Sequence, residues 1–370
     1  MALLHSDVLC PYCLEELRAS DVKMTCPLCG TLAEQSRVEM IMGKLPKCKQ
    51  PGCHKSPASD RTCKYCSSKL PSDILDYEKY LRFSILGVSG SGKTTFLTTM
   101  LHELRHSPNS PWVIAPMDAD TSSLYQMNDR AIYENRATVD PTAPGMPPQP
   151  QQWKIKDRGR MTNSRIPTYS LTIFDGAGED CTKLDPAISR YINGSKALII
   201  LVDPLSLPHV ARRINPKILQ WSSTTEHDSD ASANMVDNLA NYIRQSCGIP
   251  SGKLIDRDIA VVFTKIDAVK DSFGSATVMQ PSPHMAQKAF IQADADAVNA
   301  EIRDWLDMEG ETAFLNAIDT TFKKNKVRFF GISSFGQPPT GDRQLARVIP
   351  HRVLDPLLWM LSKENMIPTV

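Results

Sequence analysis

A glycine-rich segment, residues 87–94, follows an apolar run and precedes a helical pattern, and this order constrains the fold more than any other feature. Glycine stands at 87 and 92, and Lys93 and Thr94 follow, which is the spacing GxxxxGK[ST]. Such glycines let successive backbone N–H groups point at an anion, while the lysine reaches its β/γ-phosphates and the threonine hydroxyl binds Mg²⁺. The sequence therefore predicts a phosphate-binding loop between a strand and a helix.

The chain on both sides supports this arrangement. Residues 82–86 alternate in the manner of a strand. Beyond the loop, apolar residues recur at helical spacing from Phe96 to Leu104, and Pro108 and Pro111 terminate the helix. Apolar runs predict further strands at 169–174, 197–203, 258–263 and 327–332, and helical patterns cover 122–135, 209–221, 235–247, 284–308, 311–325 and 348–366. Strands alternating with helices predict an α/β fold with a doubly wound sheet.

Charge and cysteine content narrow the class of protein. The 42 Lys and Arg residues balance 41 Asp and Glu residues, so the overall charge does not indicate a polyanion-binding surface. No apolar run approaches the ~18 residues that span a membrane, and the first residues lack the pattern of a secretory signal. Eight of the ten cysteines lie between residues 10 and 66, which favours metal sites in a reducing compartment. We expect a cytoplasmic protein without a membrane partner.

The cysteine-rich region repeats a pair of closely spaced cysteines four times. Four thiolates suffice for one tetrahedral zinc ion, so the order along the chain predicts two zinc ions. The first unit is Cys10, Cys13, Cys26 and Cys29, and the second is Cys48, Cys53, Cys63 and Cys66. The second unit is looser because four residues separate its first two cysteines, and His5 or His54 can replace a ligand. A cross-braced arrangement, in which alternate pairs share an ion, is also compatible with the spacing.

A closed four-cysteine site leaves no position open for catalysis, so we expect structural zinc. Residues 1–75 carry ten Lys and Arg against eight Asp and Glu, a weak excess for nucleic-acid binding. The region is better interpreted as a protein-docking module.

Residues 109–168 are polar, and residues 141–150 include five prolines. Apart from a short helix at 122–135, regular structure is not expected there, and the segment is interpreted as a long surface loop. In nucleotide switches this interval senses the γ-phosphate.

Three further motifs stand at the ends of predicted strands. Asp175 begins a DxxG motif ending at Gly178, where the acid can hold Mg²⁺ through water and the glycine N–H can approach the γ-phosphate. Asp203 also ends a strand, and we expect a structural role for it. The sequence Thr264-Lys265-Ile266-Asp267 offers a carboxylate that can accept hydrogen bonds from N1–H and the exocyclic amine of guanine, a pattern adenine lacks. A turn at 333–336 can offer a backbone N–H to the guanine carbonyl.

Together, these four motifs resemble in order, spacing and strand context the Ras-like P-loop GTPases of the TRAFAC class, over roughly residues 80–365. The resemblance implies a mostly parallel sheet with helices on both faces, plus small zinc-ribbon domains: residues 1–72 as tandem four-cysteine ribbons and 73–370 as the GTPase domain. Such ribbons joined to such a domain are similar to bacterial double-GTPase proteins of conflict or defence systems.

The resemblance also implies roles for individual residues. Lys93 would hold the β/γ-phosphates, Thr94 and Asp175 would bind Mg²⁺, and Gly178 would contact the γ-phosphate. Lys265 and Asp267 would recognise guanine, and Ser334 would contact its carbonyl. The implied nucleotide contacts are Gly87, Ser89, Gly90, Ser91, Gly92, Lys93, Thr94, Thr95, Thr264, Lys265, Asp267, Ser333 and Ser334.

Three departures from the family pattern affect these expectations. Thr264 replaces the commoner asparagine, and its hydroxyl can still hydrogen-bond to the phosphate-binding loop. Glu179 stands where many relatives have the glutamine that orients the attacking water, so we expect slow or partner-activated hydrolysis. The first-switch threonine is not identified among its candidates, Thr138, Thr142 and Thr162. The nearby arginines Arg136, Arg158, Arg160 and Arg165 are candidates for a finger in cis, although solvated side chains are the simpler interpretation.

The sequence thus predicts a GTP-binding switch that uses Mg²⁺, hydrolyses GTP and carries about two Zn²⁺ per chain, with a protein partner at the zinc ribbons or the switch regions. A non-hydrolysing GTP-dependent scaffold or sensor is the main alternative, and a nucleic-acid-binding NTPase is a weaker one.

Overall fold

The structure is a computed structural model and describes residues 8–36, 38–39, 42, 44–53, 57–88, 90–108, 110–139, 150–175, 186–222, 231–340 and 343–370. The chain divides into two compact units, one of residues 1–80 with 168–170 and the other of residues 81–167 with 171–370.

The strands are β1 (Val22–Thr25), β2 (Asp60–Cys63), β3 (Lys69–Leu70), β4 (Lys79–Leu86), β5 (Trp112–Pro116), β6 (Gln151–Asp157), β7 (Thr168–Asp175), β8 (Ala197–Val202), β9 (Asp258–Phe263) and β10 (Val327–Gly331). The α-helices are α1 (Lys93–His106), α2 (Ala119–Asp129), α3 (Pro186–Gly194), α4 (Pro208–Ala211), α5 (Pro216–Leu219), α6 (Ala231–Cys247), α7 (His284–Gln287), α8 (Gln292–Glu309), α9 (Thr312–Thr321) and α10 (Asp355–Lys363).

A mostly parallel sheet forms the centre of the larger unit. The described residues give it seven strands in the order β10-β9-β8-β4-β7-β6-β5. The pairs β4–β8, β8–β9 and β9–β10 are parallel, and β5–β6 at the edge is antiparallel. The register places Phe83 opposite Ala197 and Ile199 opposite Ala260. The predicted α/β fold is therefore confirmed.

Helices cover both faces of this sheet because its central strands are apolar throughout. On β8, Leu198, Ile200 and Val202 belong to a buried cluster that includes residues of α3, α6, α8 and α9. Side chains alternate across a strand, so Ile199 and Leu201 face the other side. On that opposite face Phe330 contacts Trp359 of α10, with ring centroids 5.8 Å apart. Burial on both faces explains why these strands read as continuous apolar runs.

The expectation of an irregular loop at 109–168 is wrong for the described residues. This segment contains β5, α2 and β6, and a π-helical turn at Arg130–Glu134 extends α2. Burial of Trp112 and Ile114 on β5, and of Trp153 and Ile155 on β6, accounts for the two strands. Residues 140–149, which hold most of the prolines, lie outside the described residues. The helix predicted at 209–221 is also interrupted, and α4 and α5 each begin at a proline.

A smaller three-stranded sheet organises the cysteine-rich unit. Its order is β1-β2-β3, and β2 pairs antiparallel with both neighbours. Val22 at the start of β1 lies opposite Cys63 at the end of β2. This pairing brings the first and the last cysteine pairs of the region to the same end of the sheet.

Candidate functional site

The phosphate-binding loop joins β4 to α1, as predicted. A Cβ atom at Gly87 would lie 2.9 Å from the backbone oxygen of Leu201 and 2.8 Å from the Ser91 hydroxyl, so only glycine fits there. Gly92 adopts a left-handed conformation, with φ of 89°, immediately before α1. The Lys93 ammonium lies over the loop and donates to the carbonyls of Gly87, at 2.9 Å, and Val88, at 3.1 Å. The loop carbonyls thus surround the Lys93 ammonium, which is the group predicted to bind phosphates.

The two residues predicted to bind Mg²⁺ lie side by side. The Thr94 hydroxyl donates to Asp175 Oδ2 at 3.3 Å. Burial raises the pKa of Asp175 to about 6, although the charge of Lys93 and the Thr94 hydrogen bond oppose the shift. A hydroxyl and a buried carboxylate match the oxygen ligands that Mg²⁺ prefers. These residues therefore fit the ion.

The base-reading segment follows β9 and is tied to the phosphate-binding loop. The Thr264 hydroxyl donates to the Ser91 carbonyl at 3.1 Å, which is the contact expected for this threonine. Burial raises the pKa of Asp267, and a hydrogen bond from Ser333 partly offsets the shift. The carboxylate that would read guanine is thus enclosed and supported by the turn after β10.

Asp203 holds Lys265 in place. Its carboxylate is fully buried at the end of β8 and accepts from the Lys265 ammonium at 2.6 Å and from the Leu205 N–H at 3.0 Å. The same ammonium donates to the Trp221 carbonyl at 2.7 Å. With its head fixed, the lysine presents its aliphatic stem to the pocket. The structural role expected for Asp203 agrees with these contacts.

One open pocket of about 270 Å³ unites most of the predicted nucleotide contacts. Its lining includes Gly90, Ser91, Gly92, Thr95, Thr264, Lys265, Asp267, Ser333 and Ser334. These residues follow β4, β9 and β10, whose carboxyl ends meet at one edge of the sheet, where α/β folds bind ligands. The Ser91 hydroxyl is buried and has no hydrogen-bond partner among the described residues. The pocket thus combines the glycine-rich loop, a buried hydroxyl without a partner among the described residues, and apolar side chains.

Sequence reasoning missed several residues of this pocket. Trp221, Leu205 and Ile218 form part of its wall, and Arg343 lines it from a distant loop beside Thr138, which the sequence offered only as a first-switch candidate. None of them belongs to a motif with fixed spacing. Three predicted site residues, Ser89, Gly178 and Glu179, lie outside the described residues, as do Thr142, His5 and His54.

Several of the candidates for the first-switch threonine and for an arginine finger lie far from the predicted Mg²⁺ ligands. Thr162 and the arginines Arg158, Arg160 and Arg165 precede β7, whereas Asp175 ends it. A strand of eight residues is on the order of 25 Å long, so these side chains lie at the opposite end of β7 from the predicted Mg²⁺ ligands. Arg160 instead forms an ion pair with Asp157, at 2.6 Å. Their proposed switch and finger roles are therefore wrong for this conformation.

The eight clustered cysteines form two groups of four, but not in sequence order. One group is Cys10, Cys13, Cys63 and Cys66, and the other is Cys26, Cys29, Cys48 and Cys53. The outer pairs of the region share one site and the inner pairs share the other, so both the sequential units and the cross-braced alternative are wrong. The antiparallel pairing of β1 with β2 is the physical reason, because it carries Cys63 back to the first pair.

The sulfur geometry suits zinc. The Sγ atoms of Cys10 and Cys66 are 3.7 Å apart, as are those of Cys13 and Cys63. A tetrahedral zinc ion with bonds of about 2.3 Å separates its sulfur ligands by about 3.8 Å. In the second group the corresponding distances are 3.4 Å for Cys26 and Cys53 and 3.5 Å for Cys29 and Cys48. The thiols are free of disulfides.

No protein-family model and no curated protein sequence matches the chain. Similar solved structures include the S. cerevisiae Ski7 GTPase-like domain bound to GTP, with 13% identity, 81% of this chain and 53% of that chain covered, and a TM-score of 0.34. The chain thus spans about half the length of that protein. The SRb-GTP/SRX complex from Chaetomium thermophilum has 15% identity, coverage of 71% and 95%, and a TM-score of 0.31. The Arl6 small GTPase from Trypanosoma brucei with bound GppNp has 11% identity, coverage of 78% and 98%, and a TM-score of 0.33. With scores this low, the assignment of the site depends on its own geometry.

Within the part of the chain that the structure describes, no helix combines the length and the apolar character needed to cross a bilayer.

Proposed function

We propose that this protein binds guanine nucleotides with Mg²⁺ and hydrolyses GTP as a molecular switch. The observation that carries the proposal is the shared pocket, in which the phosphate-binding loop, Lys265, Asp267 and Ser334 line one cavity. A phosphate-binding loop alone would serve any nucleoside triphosphate. The enclosed Asp267 carboxylate favours guanine, because it can accept from two adjacent donors on that base.

Each element of the site has a defined task in this proposal. The loop N–H groups and Lys93 bind the phosphates, and Thr264 holds the loop against the base-reading segment. When bound, Mg²⁺ at Thr94 and Asp175 would neutralise charge on the β- and γ-phosphates. The Lys265 stem and the Trp221 wall exclude water from the purine. The sequence predicts that GTP orders residues 136–165 and 175–185, but residues 151–157 form β6 and residues 158–165 lie at the far end of β7, so the proposal keeps only residues 136–139 and 175–185 as segments that would respond to GTP and its hydrolysis.

Binding of the base is tested by isothermal titration of the purified protein with GTP, ATP and XTP. We expect GTP to bind and ATP not to compete, and Asp267→Asn to shift preference toward XTP, whose base carries an acceptor where guanine has the amine. Asp271→Asn is the matched control, because Asp271 lies exposed in the same 3₁₀ segment. Equal affinity for ATP and GTP would refute the guanine assignment.

The cysteine-rich unit is proposed to hold two structural zinc ions and to dock a protein partner. The support for zinc is the pair of four-thiol groups. Cytoplasmic location, the partner and the link to bacterial defence systems stay predictions from the sequence.

A second candidate function is a GTP-dependent scaffold that does not turn over. Glu179 favours it, because a carboxylate replaces the glutamine amide that orients water in many relatives. Multiple-turnover phosphate release, with Lys93→Ala as the blank, separates the two functions. Robust release would exclude the scaffold, and tight GTP binding with no release would exclude the hydrolysing switch.

A further inference from the structure

Two short segments far apart in sequence pair at the rim of the pocket. Residues 136–139 and 343–346, here called the clasp, form an antiparallel bridge between Ala137 and Gln344. The Thr138 N–H donates to the Arg343 carbonyl at 3.2 Å, and the Leu345 N–H donates to the Arg136 carbonyl at 2.6 Å. The clasp is thus a small piece of two-stranded sheet.

Side chains reinforce the clasp on the side of the pocket. Arg343 donates from Nε to the Thr138 hydroxyl at 2.9 Å and from Nη2 to the Val139 carbonyl at 3.0 Å. Both Thr138 and Arg343 line the pocket. The guanidinium therefore fixes the position of the Thr138 side chain at the edge of the pocket.

The clasp is anchored to the base-reading turn. Ser333 exchanges two backbone hydrogen bonds with His351, at 3.0 and 2.7 Å, and the Ile349 N–H donates to the Phe335 carbonyl at 3.0 Å. Between these anchors the chain loops out to the clasp, where Leu345 is buried. Residues 136–139 belong to the segment that the sequence predicts as the first switch. The clasp therefore connects the turn that would contact the base with the segment that would sense the γ-phosphate.

The clasp borders the cavity that would hold a nucleotide. Asp267 and Ser334 are expected at its base end and Gly90 and Gly92 at its phosphate end, while Thr94 and Asp175 are not in the lining. Thr138 shares this lining with residues of both ends. A nucleotide that joins the two ends therefore passes through the cavity that Thr138 lines.

We propose that Thr138 contacts the bound nucleotide, that Arg343 is the positioning residue that holds it there, and that the clasp must open for the nucleotide to leave. This inference rests on the proposed guanine-nucleotide binding and extends it to residues outside the motifs. It gives a specific role to Thr138, which the sequence offered only as one of three candidates for the first-switch threonine.

A reversible cross-link tests the clasp. Ala137 and Gln344 form a non-hydrogen-bonded antiparallel pair, whose Cα atoms lie about 4.5 Å apart, a separation that a disulfide can bridge. The double variant Ala137→Cys/Gln344→Cys is loaded with tritiated GDP, and release is measured after mild oxidation and again after reduction. Neither residue lines the pocket. We expect oxidation to slow release at least tenfold and reduction to restore it, with the two single-cysteine variants unaffected.

Side-chain variants test the positioning role. Thr138→Val and Arg343→Met should each speed GDP release about tenfold, as expected for loss of a hydrogen bond to a charged group, and the double variant should add little because both lose the same contact. Thr138→Ser should restore the wild-type rate, and GTP-over-ATP preference should persist in every variant. If Thr138→Val acted only by loosening the packing of the loop, Thr138→Ser would not restore the wild-type rate of GDP release.

The outcomes separate the two proposals. If the unmodified protein binds no guanine nucleotide, the proposed function fails and this inference fails with it. If it binds GDP but the cross-linked and reduced forms release it equally fast, or no cross-link forms, the clasp alone is refuted. Additive effects of Thr138→Val and Arg343→Met would refute the positioning role of Arg343.

Discussion

At the scale of single residues, Thr264 shows how a departure from a family pattern is accommodated. Asparagine would reach the phosphate-binding loop with an amide, and the shorter threonine reaches it with a hydroxyl. Thr264 is buried and donates to the Ser91 carbonyl, so the base-reading segment and the loop are joined by one side chain. Its hydroxyl also lies 3.3 Å from the Val202 carbonyl. The residue thus fastens the two halves of the pocket together.

Removing this hydroxyl should loosen the site. We expect Thr264→Val, which keeps the shape, to cost about 1–3 kcal/mol because the buried Ser91 carbonyl loses a donor. GDP release should be at least several-fold faster, and Thr264→Asn should retain slow release. Thr320→Val is the control, since its hydroxyl bonds only within α9, remote from the pocket. Release rates with thermal denaturation provide the measurement, and an unchanged rate in Thr264→Val would contradict the fastening role.

The motif residues were predictable because their positions depend on strand ends. Once Leu86, Phe263 and Gly331 end parallel strands of one sheet, the residues that follow them must lie at the same edge. The contact between Thr138 and Arg343 was not predictable, because it joins residues 205 positions apart through loops without a motif. The spacing within a motif can be read from neighbouring residues of the sequence, whereas a contact between two distant loops depends on the folded chain.

At the scale of elements, the same distinction explains the cysteine groups. Two cysteines separated by two residues predict a zinc-binding knuckle locally. Which knuckles share an ion depends on strand pairing, and β1–β2 pairing joins the outer two. The edge strands β5 and β6 were missed for a related reason. On β6, Trp153 and Ile155 alternate with two lysines, whereas β5 is an apolar run of only five residues. Both are short stretches inside a polar, proline-rich segment, so the composition of the segment obscured them.

Zinc analysis of double cysteine variants distinguishes the groupings. Cys10→Ser/Cys66→Ser alters one group in this structure, so we expect one zinc per chain to remain, against two in the wild type. Cys10→Ser/Cys29→Ser alters both groups and should leave close to none. The sequential grouping predicts the reverse for the two variants. Elemental analysis of the purified proteins decides between them, and circular dichroism checks that each variant is folded.

At the scale of the whole molecule, nucleotide binding and GTP hydrolysis would depend on different residues. The described residues include the glycine-rich loop proposed to bind phosphates, the Asp267 carboxylate proposed to read the base, and the Thr94–Asp175 pair that fits Mg²⁺. The residue that would govern water attack, Glu179, is known only from its place after the DxxG motif. A carboxylate there would carry a negative charge toward the γ-phosphate, where an amide would be neutral and could donate a hydrogen bond. Slow hydrolysis with tight binding is the combination that this sequence favours.

Replacing the carboxylate by the amide tests this explanation directly. We expect Glu179→Gln to raise the single-turnover rate of phosphate release by about tenfold or more, which corresponds to a barrier lowered by about 1.4 kcal/mol. GDP release should stay at the wild-type rate, because residue 179 would act on the γ-phosphate and not on the nucleoside. Asp175→Asn serves as the opposite control, since it removes a predicted Mg²⁺ ligand and should lower the rate. An unchanged rate in Glu179→Gln would mean that the attacking water is oriented elsewhere, by another residue or by a partner.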